Sequence, residues 1–190
     1  VYLDNAATTP VAPEVAQAMM EVYQTVHGNP SSTHAAGRKA KALVETNRRA
    51  IAQHLNCPAR AICFTSGGTE ADNHAIQASV KCLGVTRIVT SAAEHSAVIK
   101  ASEMAGAGFN VEVVHVKHHE SGEVDLADLE AILGSSAKKT LVSLMHANNE
   151  VGVMLDLQAV SRLCRQHDAL LHSDTVQTMG HYPMDLSGLD

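Results

Sequence analysis

The chain has 190 residues, enough for one large domain with a substantial buried core. Hydrophobic residues make up 45% of it and charged residues 18%, a composition typical of folded proteins and not of disordered or fibrous ones. The 14 basic and 20 acidic residues give a formal net charge of -6, which leaves no excess of cations for a nucleic-acid backbone. We therefore expect no nucleic-acid partner.

The sequence also argues against a membrane or secreted protein. No stretch approaches the roughly 20 apolar residues that span a bilayer, and no signal peptide is apparent. The four cysteines contain no C-x-x-C pair and do not have the spacing of a disulfide framework. These features predict a cytoplasmic protein with reduced thiols, in which Cys63 and Cys82 are interpreted as small core residues.

The predicted elements begin with two helices and then alternate between strands and helices. Apolar residues spaced three and four apart predict one helix from Pro13 through Val26 and another over about 33–55. Short apolar runs predict five buried strands, over Ala61–Thr65, Arg87–Ser91, Val111–Val116, Thr140–His146 and Ala169–Ser173. Helical stretches are predicted near 70–83, 95–105, 126–133 and 156–167.

This alternation implies β-α-β units, in which helices cover both faces of a mostly parallel sheet. The predicted class is therefore α/β, with three layers. No repeat, low-complexity tract or linker divides the chain. Ligands of such sheets bind beyond the carboxyl ends of the strands, so the segments that follow the strands are the candidates for chemistry.

The run SGGTEADN at 66–73 follows the first predicted strand and leads into a helix. Paired glycines let the backbone approach an anion, and the first N–H groups of a helix, with the Thr69 hydroxyl, can hold a phosphate. The run matches neither a Walker A loop nor the G-x-G-x-x-G dinucleotide pattern. A glycine turn with a Thr cap explains the same residues, so both interpretations stay open on this run alone.

Two further runs follow the next strands. AEHSAV at 93–98 places Glu94 and His95 at the start of a helix, whose positive end favours a neutral imidazole suited to stacking on a ligand or exchanging protons with it. A capping or surface histidine is the alternative. HANNEVG at 146–152 offers two adjacent amides that can orient a ligand hydroxyl, although asparagine is also a common turn residue.

The last run, HSDTVQT at 172–178, places Asp174 at the end of an apolar strand. A buried acid costs free energy unless it meets a positive partner, and a protonated heterocyclic nitrogen is one such partner. An Asp that caps the following turn is the alternative. Taken singly, none of these strand-end runs decides between a ligand site and ordinary structure.

Together and in this order, six runs resemble the NifS-like cysteine desulfurase and selenocysteine lyase family, within the class V aminotransferase superfamily. The four strand-end runs are joined by two earlier ones, YLDNAATTP at 2–10 and GNPSSTHAAGRKA at 28–40. The resemblance extends from Val1 to Asp190. It implies a pyridoxal 5′-phosphate enzyme that removes sulfur or selenium from cysteine or selenocysteine and leaves alanine.

The resemblance also implies a role for each matching residue. It assigns the cofactor phosphate to Gly68 and Thr69, ring stacking with catalytic proton transfer to His95, the pyridinium nitrogen to Asp174, and the ring 3′-oxygen to Asn149 and Gln177. A protonated ring nitrogen beside an acid makes the ring an electron sink for the substrate α-carbon. No metal ligand is expected.

The family fold implied is the large domain of a type I aminotransferase. Residues 1–190 correspond to the N-terminal segment and most of that domain, and the C-terminal small domain is expected to be absent from this chain. Family members are generally homodimers, so we expect a homodimer, L-cysteine or selenocysteine as substrate, and a sulfur-acceptor protein in iron–sulfur cluster assembly.

The chain departs from the family where chemistry is completed. The aldimine-forming lysine of the family lies in a Ser-x-His-Lys phrase downstream of the D-x-x-Q motif, and the persulfide cysteine lies later still. None of the lysines present has that context: Lys39, Lys41 and Lys100 lie in predicted helices and Lys138 and Lys139 in a turn, and no cysteine matches either. We therefore expect a truncated chain that cannot complete the reaction alone.

Three alternatives remain at this stage. The same family includes selenocysteine lyases, and the missing lysine and cysteine are also compatible with a catalytically inactive binding or dimerising module. The histidine-rich run over 115–120 prompts a metal hydrolase, but it lacks H-E-x-x-H spacing and is better interpreted as a solvated loop.

Overall fold

The computed structural model describes residues 1–189, in two compact units, of which the first is Val1–Cys63 and the second begins at Phe64. The first unit holds two helices and the second holds four helices around a four-stranded sheet. The assignment of 1–190 to the N-terminal segment and most of a cofactor-binding large domain stays a prediction. Within 1–189, no helix combines the length and the apolar character needed to cross a membrane.

The helices and strands follow the predicted order closely. The helices are α1 Pro13–Thr25, α2 Ala35–His54, α3 Gly68–Leu83, α4 Ser96–Phe109, α5 Leu126–Gly134 and α6 Leu157–Gln166. The strands are β1 Arg87–Ser91, β2 Glu112–Val116, β3 Thr140–Ser143 and β4 Leu170–His172. Single 3-10 turns lie at Ala59–Ala61 and Leu186–Gly188.

In the first unit, the glycines of the run GNPSSTHAAG allow a loop to pack tightly against the start of α2. A Cβ at Gly28 would overlap the backbone oxygen of Ala36, and a Cβ at Gly37 would overlap that of Ser32. His34 caps α2, because its Nδ1 accepts a hydrogen bond from Gly37 N at 3.3 Å. The run is therefore explained by local packing in this unit.

The second unit is built on a parallel sheet with the strand order β2-β1-β3-β4. Neighbouring residues of β1 point to opposite faces, as strand geometry requires. Ile88 packs in a cluster with Ile76 of α3 and Val98 of α4, and Val89 packs in a second cluster with Leu129 of α5 and Val160 of α6. The predicted three-layer α/β class is confirmed.

Two strand predictions need correction. The run Ala61–Thr65 is not a strand: a 3-10 turn ends at Ala61, and the side chain of Phe64 is 49% exposed. A strand requires a hydrogen-bonded neighbour, and no strand of residues 1–189 pairs with this run. β3 ends at Ser143 instead of His146, and the last residues in its register with β4 are Ser143 and His172.

The interpretation of Cys63 and Cys82 as core residues is wrong, since both are exposed. The buried thiol is Cys164, on the inner face of α6, where burial raises its pKa to about 12. Cysteine is apolar enough to be buried, but its sequence context did not show which helix face it occupies.

Arg87 is the most unusual buried residue of the sheet, with only 2% of its surface exposed at the start of β1. Its Nε donates to Thr140 Oγ1 at 2.9 Å and its Nη1 donates to the Ile132 carbonyl at 3.0 Å. The last carbonyls of a helix lack partners within the helix and carry its negative end. The guanidinium therefore ties the end of α5 to two strands.

We expect Arg87→Leu to lower the free energy of unfolding by about 3 kcal/mol, because it leaves buried carbonyl and hydroxyl groups without a donor. Urea denaturation measures the change. The matched control is Arg162→Leu at an exposed position of α6, where the change should stay below about 0.5 kcal/mol. Equal effects of the two substitutions would contradict this account of Arg87.

Candidate active site

The segments that follow β1, β3 and β4 meet at one edge of the sheet. His146 N donates to the Asp174 carbonyl at 2.9 Å, which joins the segments after β3 and β4. Asn148 Nδ2 donates to the Ala93 carbonyl at 2.7 Å, which joins the segments after β3 and β1. This convergence follows from the parallel sheet, whose carboxyl ends all lie at the same edge.

The start of α3 lies against the same edge. A Cβ added at Gly68 would come within 2.9 Å of Val176 Cγ2, so a side chain at this position would require Val176 to shift. The N-cap residue is Gly67, and no side chain within residues 1–189 caps the helix. The exposed Thr69 is inside the helix and is not the cap, which excludes the glycine turn with a Thr cap. The first N–H groups of α3 are therefore available to an anion.

Glu70, in the same first turn, directs its carboxylate back to the loop. Its Oε2 accepts hydrogen bonds from Ser66 N at 2.7 Å and from Ser66 Oγ at 2.6 Å. These bonds lower the pKa of Glu70, and the hydrogen bond from the Ser66 side chain has the largest effect. The acid therefore stabilises the loop that leads into α3.

His95 both caps α4 and exposes its ring. Its Nδ1 accepts a hydrogen bond from Ala97 N at 3.2 Å, so the proton of the neutral ring is assigned to Nε2. The residue is exposed. The capping interpretation and the ligand-stacking interpretation are therefore compatible, because the cap uses only one ring nitrogen.

Asp174 is a buried acid, 8% exposed, without an ion pair among the residues that the structure describes. Its Oδ1 accepts a hydrogen bond from Val176 N at 2.9 Å, so the turn-capping interpretation holds for one oxygen. One neutral hydrogen bond does not balance the cost of burying a charge. The Asp174 carboxyl group at the edge of the sheet therefore lacks a cationic partner among residues 1–189.

The adjacent amides after β3 have different roles. Asn148 holds the turn together, since its Oδ1 accepts hydrogen bonds from Glu150 N at 2.8 Å and Val151 N at 3.0 Å. Asn149 is half-buried and its Nδ2 donates to Glu150 Oε1 at 3.1 Å. Gln177, also half-buried, follows Asp174 by three residues. All six predicted site residues thus belong to segments of the second unit that border this edge.

Glu94 is the site residue whose role the sequence did not indicate. Its Oε1 accepts hydrogen bonds from Met145 N at 3.0 Å and from Ser91 Oγ at 3.1 Å, and its Oε2 is buried without a partner among residues 1–189. Burial, with a smaller contribution from the charge of Asp174, raises the pKa of Glu94 to about 7. Through its hydrogen bond from Met145 N, Glu94 connects the segment that carries His95 to the residues that follow β3.

The histidine-rich run over 115–120 does not assemble a metal site. Within the described residues there is no group of three or more His, Cys, Asp or Glu side chains that could hold a metal ion. His119 instead lies 4.0 Å from the Asp125 carboxylate, on the surface. The metal-hydrolase alternative therefore has no support in these side chains.

We expect Glu94→Gln to change how stability depends on pH. A raised pKa means that the stabilising effect of Glu94 is complete below about pH 4.5, its unfolded value, and is lost as the pH rises through about 7. The glutamine variant does not undergo this loss, so its stability relative to the native chain should rise by at most about 3 kcal/mol between pH 5 and 8.

Urea denaturation across this pH range measures the difference. The control is Glu130→Gln at an exposed position of α5, which should shift the curve by the same amount at every pH. Parallel curves for the native chain and Glu94→Gln would show that Glu94 ionises at its ordinary pKa.

Comparison with known proteins agrees with this arrangement. The Aminotransferase class-V family matches residues 1–190. The cysteine desulfurase IscS of Dictyoglomus turgidum is 38% identical over 192 residues, and that of Pectobacterium carotovorum is 40% identical over 195 residues. Both alignments cover 100% of this chain but only 48% and 47% of the relatives, so the chain spans about half their length.

Solved structures give the same result. The NifS-like protein of Rickettsia africae has a TM-score of 0.86 at 33% identity, covering 100% of this chain and 52% of that one. A second structure, titled a NifS-like protein, has a TM-score of 0.89 at 34% identity, covering 98% and 51%. The fold, the site at the strand ends and the sequence match agree: this chain belongs to the aminotransferase class-V family.

Proposed function

We propose that this chain forms the cofactor-binding half of a pyridoxal 5′-phosphate-dependent cysteine desulfurase, which transfers sulfur from L-cysteine to an enzyme thiol and leaves alanine. The observation that carries the proposal is Asp174, a buried carboxylate without a cationic partner among the described residues. The similarity to proteins named cysteine desulfurase supports the choice of reaction.

The residues at the edge of the sheet fit this cofactor. The ring nitrogen of pyridoxal phosphate, when protonated, supplies the positive charge that Asp174 lacks. The uncapped start of α3 offers N–H donors to a phosphate, and Gly68 leaves no side chain between the helix and Val176. A phosphate and a ring cation therefore both find complementary groups at this edge.

Each site residue has a defined task in this proposal. Gly68 and Thr69 bind the phosphate, and Asp174 keeps the ring nitrogen protonated. His95, with Nδ1 engaged by the cap of α4, stacks its ring on the cofactor and holds or moves a proton at Nε2. Asn149 and Gln177 orient the ring 3′-oxygen. The cofactor itself supplies an electron sink for the substrate α-carbon.

The remaining parts of the proposal rest on the family resemblance alone. They are the Schiff-base lysine and the persulfide cysteine downstream of residue 190, the homodimer, the sulfur-acceptor protein of iron–sulfur cluster assembly, and the cytoplasmic location. The lysines of this chain that the sequence placed in helices remain there: Lys39 and Lys41 are in α2 and Lys100 is in α4.

The proposal predicts that the complete protein, supplied with pyridoxal phosphate, L-cysteine and a thiol reductant, forms alanine and sulfide in equal amounts. We expect Asp174→Asn to lower the rate at least about a hundredfold, because it keeps the turn-capping oxygen but removes the charge opposite the ring nitrogen.

Asp168→Asn is the matched control, since it makes the same change at an exposed residue before β4 and should leave the rate unaltered. A protein that binds pyridoxal phosphate but produces no alanine from cysteine would contradict the proposed reaction and favour an inactive binding module. Alanine from selenocysteine alone would identify a selenocysteine lyase.

A further inference from the structure

A second group of polar side chains lies buried beside the proposed cofactor site. Ser143 Oγ and His172 Nδ1 are 2.9 Å apart, and His172 Nε2 is 3.6 Å from Asp72 Oδ1. Ser143 is 0% exposed, Asp72 is 4% exposed, and the side chain of His172 is 15% exposed. The three residues come from β3, β4 and α3, so the group connects the sheet to the helix that begins at Gly68.

Both ring nitrogens of His172 face a polar side chain of this group. Nδ1 shares a hydrogen bond with Ser143 Oγ, whose direction depends on the tautomer of the ring, and Nε2 lies 3.6 Å from Asp72 Oδ1, slightly beyond hydrogen-bond distance. The ring orientation is thus fixed from both sides. Ser143 acts on Asp72 only through the histidine.

The group is aligned with the residues proposed to hold the cofactor. His172 O and Asp174 O accept hydrogen bonds from Leu144 N and His146 N respectively, so the extended backbone continues past β4 and the two side chains lie on the same face. On α3, Thr69 and Asp72 are three residues apart and share a face of the helix. The Asp72–His172 contact therefore joins the helix and the strand one step below Thr69 and Asp174.

Stability alone is a weak reason for such a contact. A buried acid and imidazole gain little net free energy over apolar side chains of similar size, because both lose their hydration. Apolar contacts already hold α3 to the sheet through Ile76, which is 0% exposed. What the polar contact adds is a fixed lateral position of the first turn of α3 relative to β4.

We propose that Asp72 and His172, oriented by Ser143, are positioning residues that set the spacing between the phosphate-binding end of α3 and Asp174. This spacing selects a rigid ligand that carries both a phosphate and a protonated ring nitrogen. The inference rests on the proposed function. It predicts that loss of the contact lowers the affinity for ligands that contact both the start of α3 and Asp174. The affinity for ligands that contact only one of them should not change.

The test uses the full-length protein freed of cofactor and three probes without an aldehyde, so that no lysine takes part. 4-Deoxypyridoxine 5′-phosphate reaches both ends, inorganic phosphate reaches only the start of α3, and 4-deoxypyridoxine reaches only Asp174. Dissociation constants are measured by calorimetry or NMR titration. The variants are Asp72→Ala, which breaks the contact, and Asp72→Asn, which keeps an oxygen acceptor for His172 Nε2.

We expect Asp72→Ala to raise the dissociation constant of 4-deoxypyridoxine 5′-phosphate by about tenfold or more. The dissociation constant of inorganic phosphate should change by less than about twofold. Asp72→Asn should restore the affinity for the two-ended probe to within about threefold of the native protein. Ser79→Ala removes another buried hydroxyl farther along α3. It should leave the affinities for 4-deoxypyridoxine 5′-phosphate and for inorganic phosphate unchanged. Ser143→Ala is a milder variant, expected to weaken the two-ended probe alone.

Several results would overturn the inference. A similar loss for the two-ended probe and for phosphate would mean that Asp72 only stabilises the fold. An unchanged affinity for 4-deoxypyridoxine 5′-phosphate in Asp72→Ala, or in Ser143→Ala should Asp72→Ala not fold, would also overturn it. A native protein that binds no phosphate probe overturns the proposed function and this inference with it, whereas the other results leave the proposed function intact.

Discussion

The parallel arrangement of β1 to β4 is the constraint on which the rest of the second unit depends. Because all four strands run in one direction, every segment that leaves a carboxyl end emerges at one edge. Residues far apart in the chain, such as His95 and Asp174, are thereby brought to the same border. The helices that return the chain cover both faces and leave this edge open to a ligand.

The same edge concentrates buried polar groups whose burial costs free energy. Among residues 1–189, Asp174 is a buried acid without a cationic partner and Glu94 has one buried oxygen without a partner, while Asp72 faces the imidazole of His172. Each of these arrangements costs free energy relative to an apolar residue. Such costs gathered at one place are typical of a site built for a ligand, which supplies the missing charge on binding. The apolar clusters on the two sheet faces provide the stability that offsets them.

Much of the fold was predictable because periodicity and strand length are local properties of the sequence. The bounds of β1 agree with the prediction, and those of β4 differ by one residue at each end. The prediction failed for Ala61–Thr65 because a strand depends on a neighbour, and no local pattern shows whether that neighbour exists. The exposed faces of Cys63 and Cys82 were missed for a similar reason, since a short apolar residue gives no indication of which way it points.

The site was predictable in its location and only partly in its contacts. Paired glycines and polar residues near strand ends led to the prediction of Gly68, His95 and Asp174 as site residues, because those features depend on chain order, and the structure brings their segments to one edge. The partners of Glu94 and the contact of Asp72 with His172 join residues from different elements, so they appear only in three dimensions. Local patterns also could not show that His95 caps a helix and exposes its ring at the same time.

The central claim is that Asp174 provides the negative charge for a protonated ring nitrogen at this edge. It is tested most directly by the nitrogen-15 chemical shift of ring-labelled 4-deoxypyridoxine 5′-phosphate bound to the full-length protein. In the native protein at neutral and mildly alkaline pH, we expect the nitrogen-15 chemical shift of a protonated ring nitrogen. In Asp174→Asn, we expect the chemical shift of a neutral ring nitrogen. A neutral ring nitrogen in the native protein would contradict the claim.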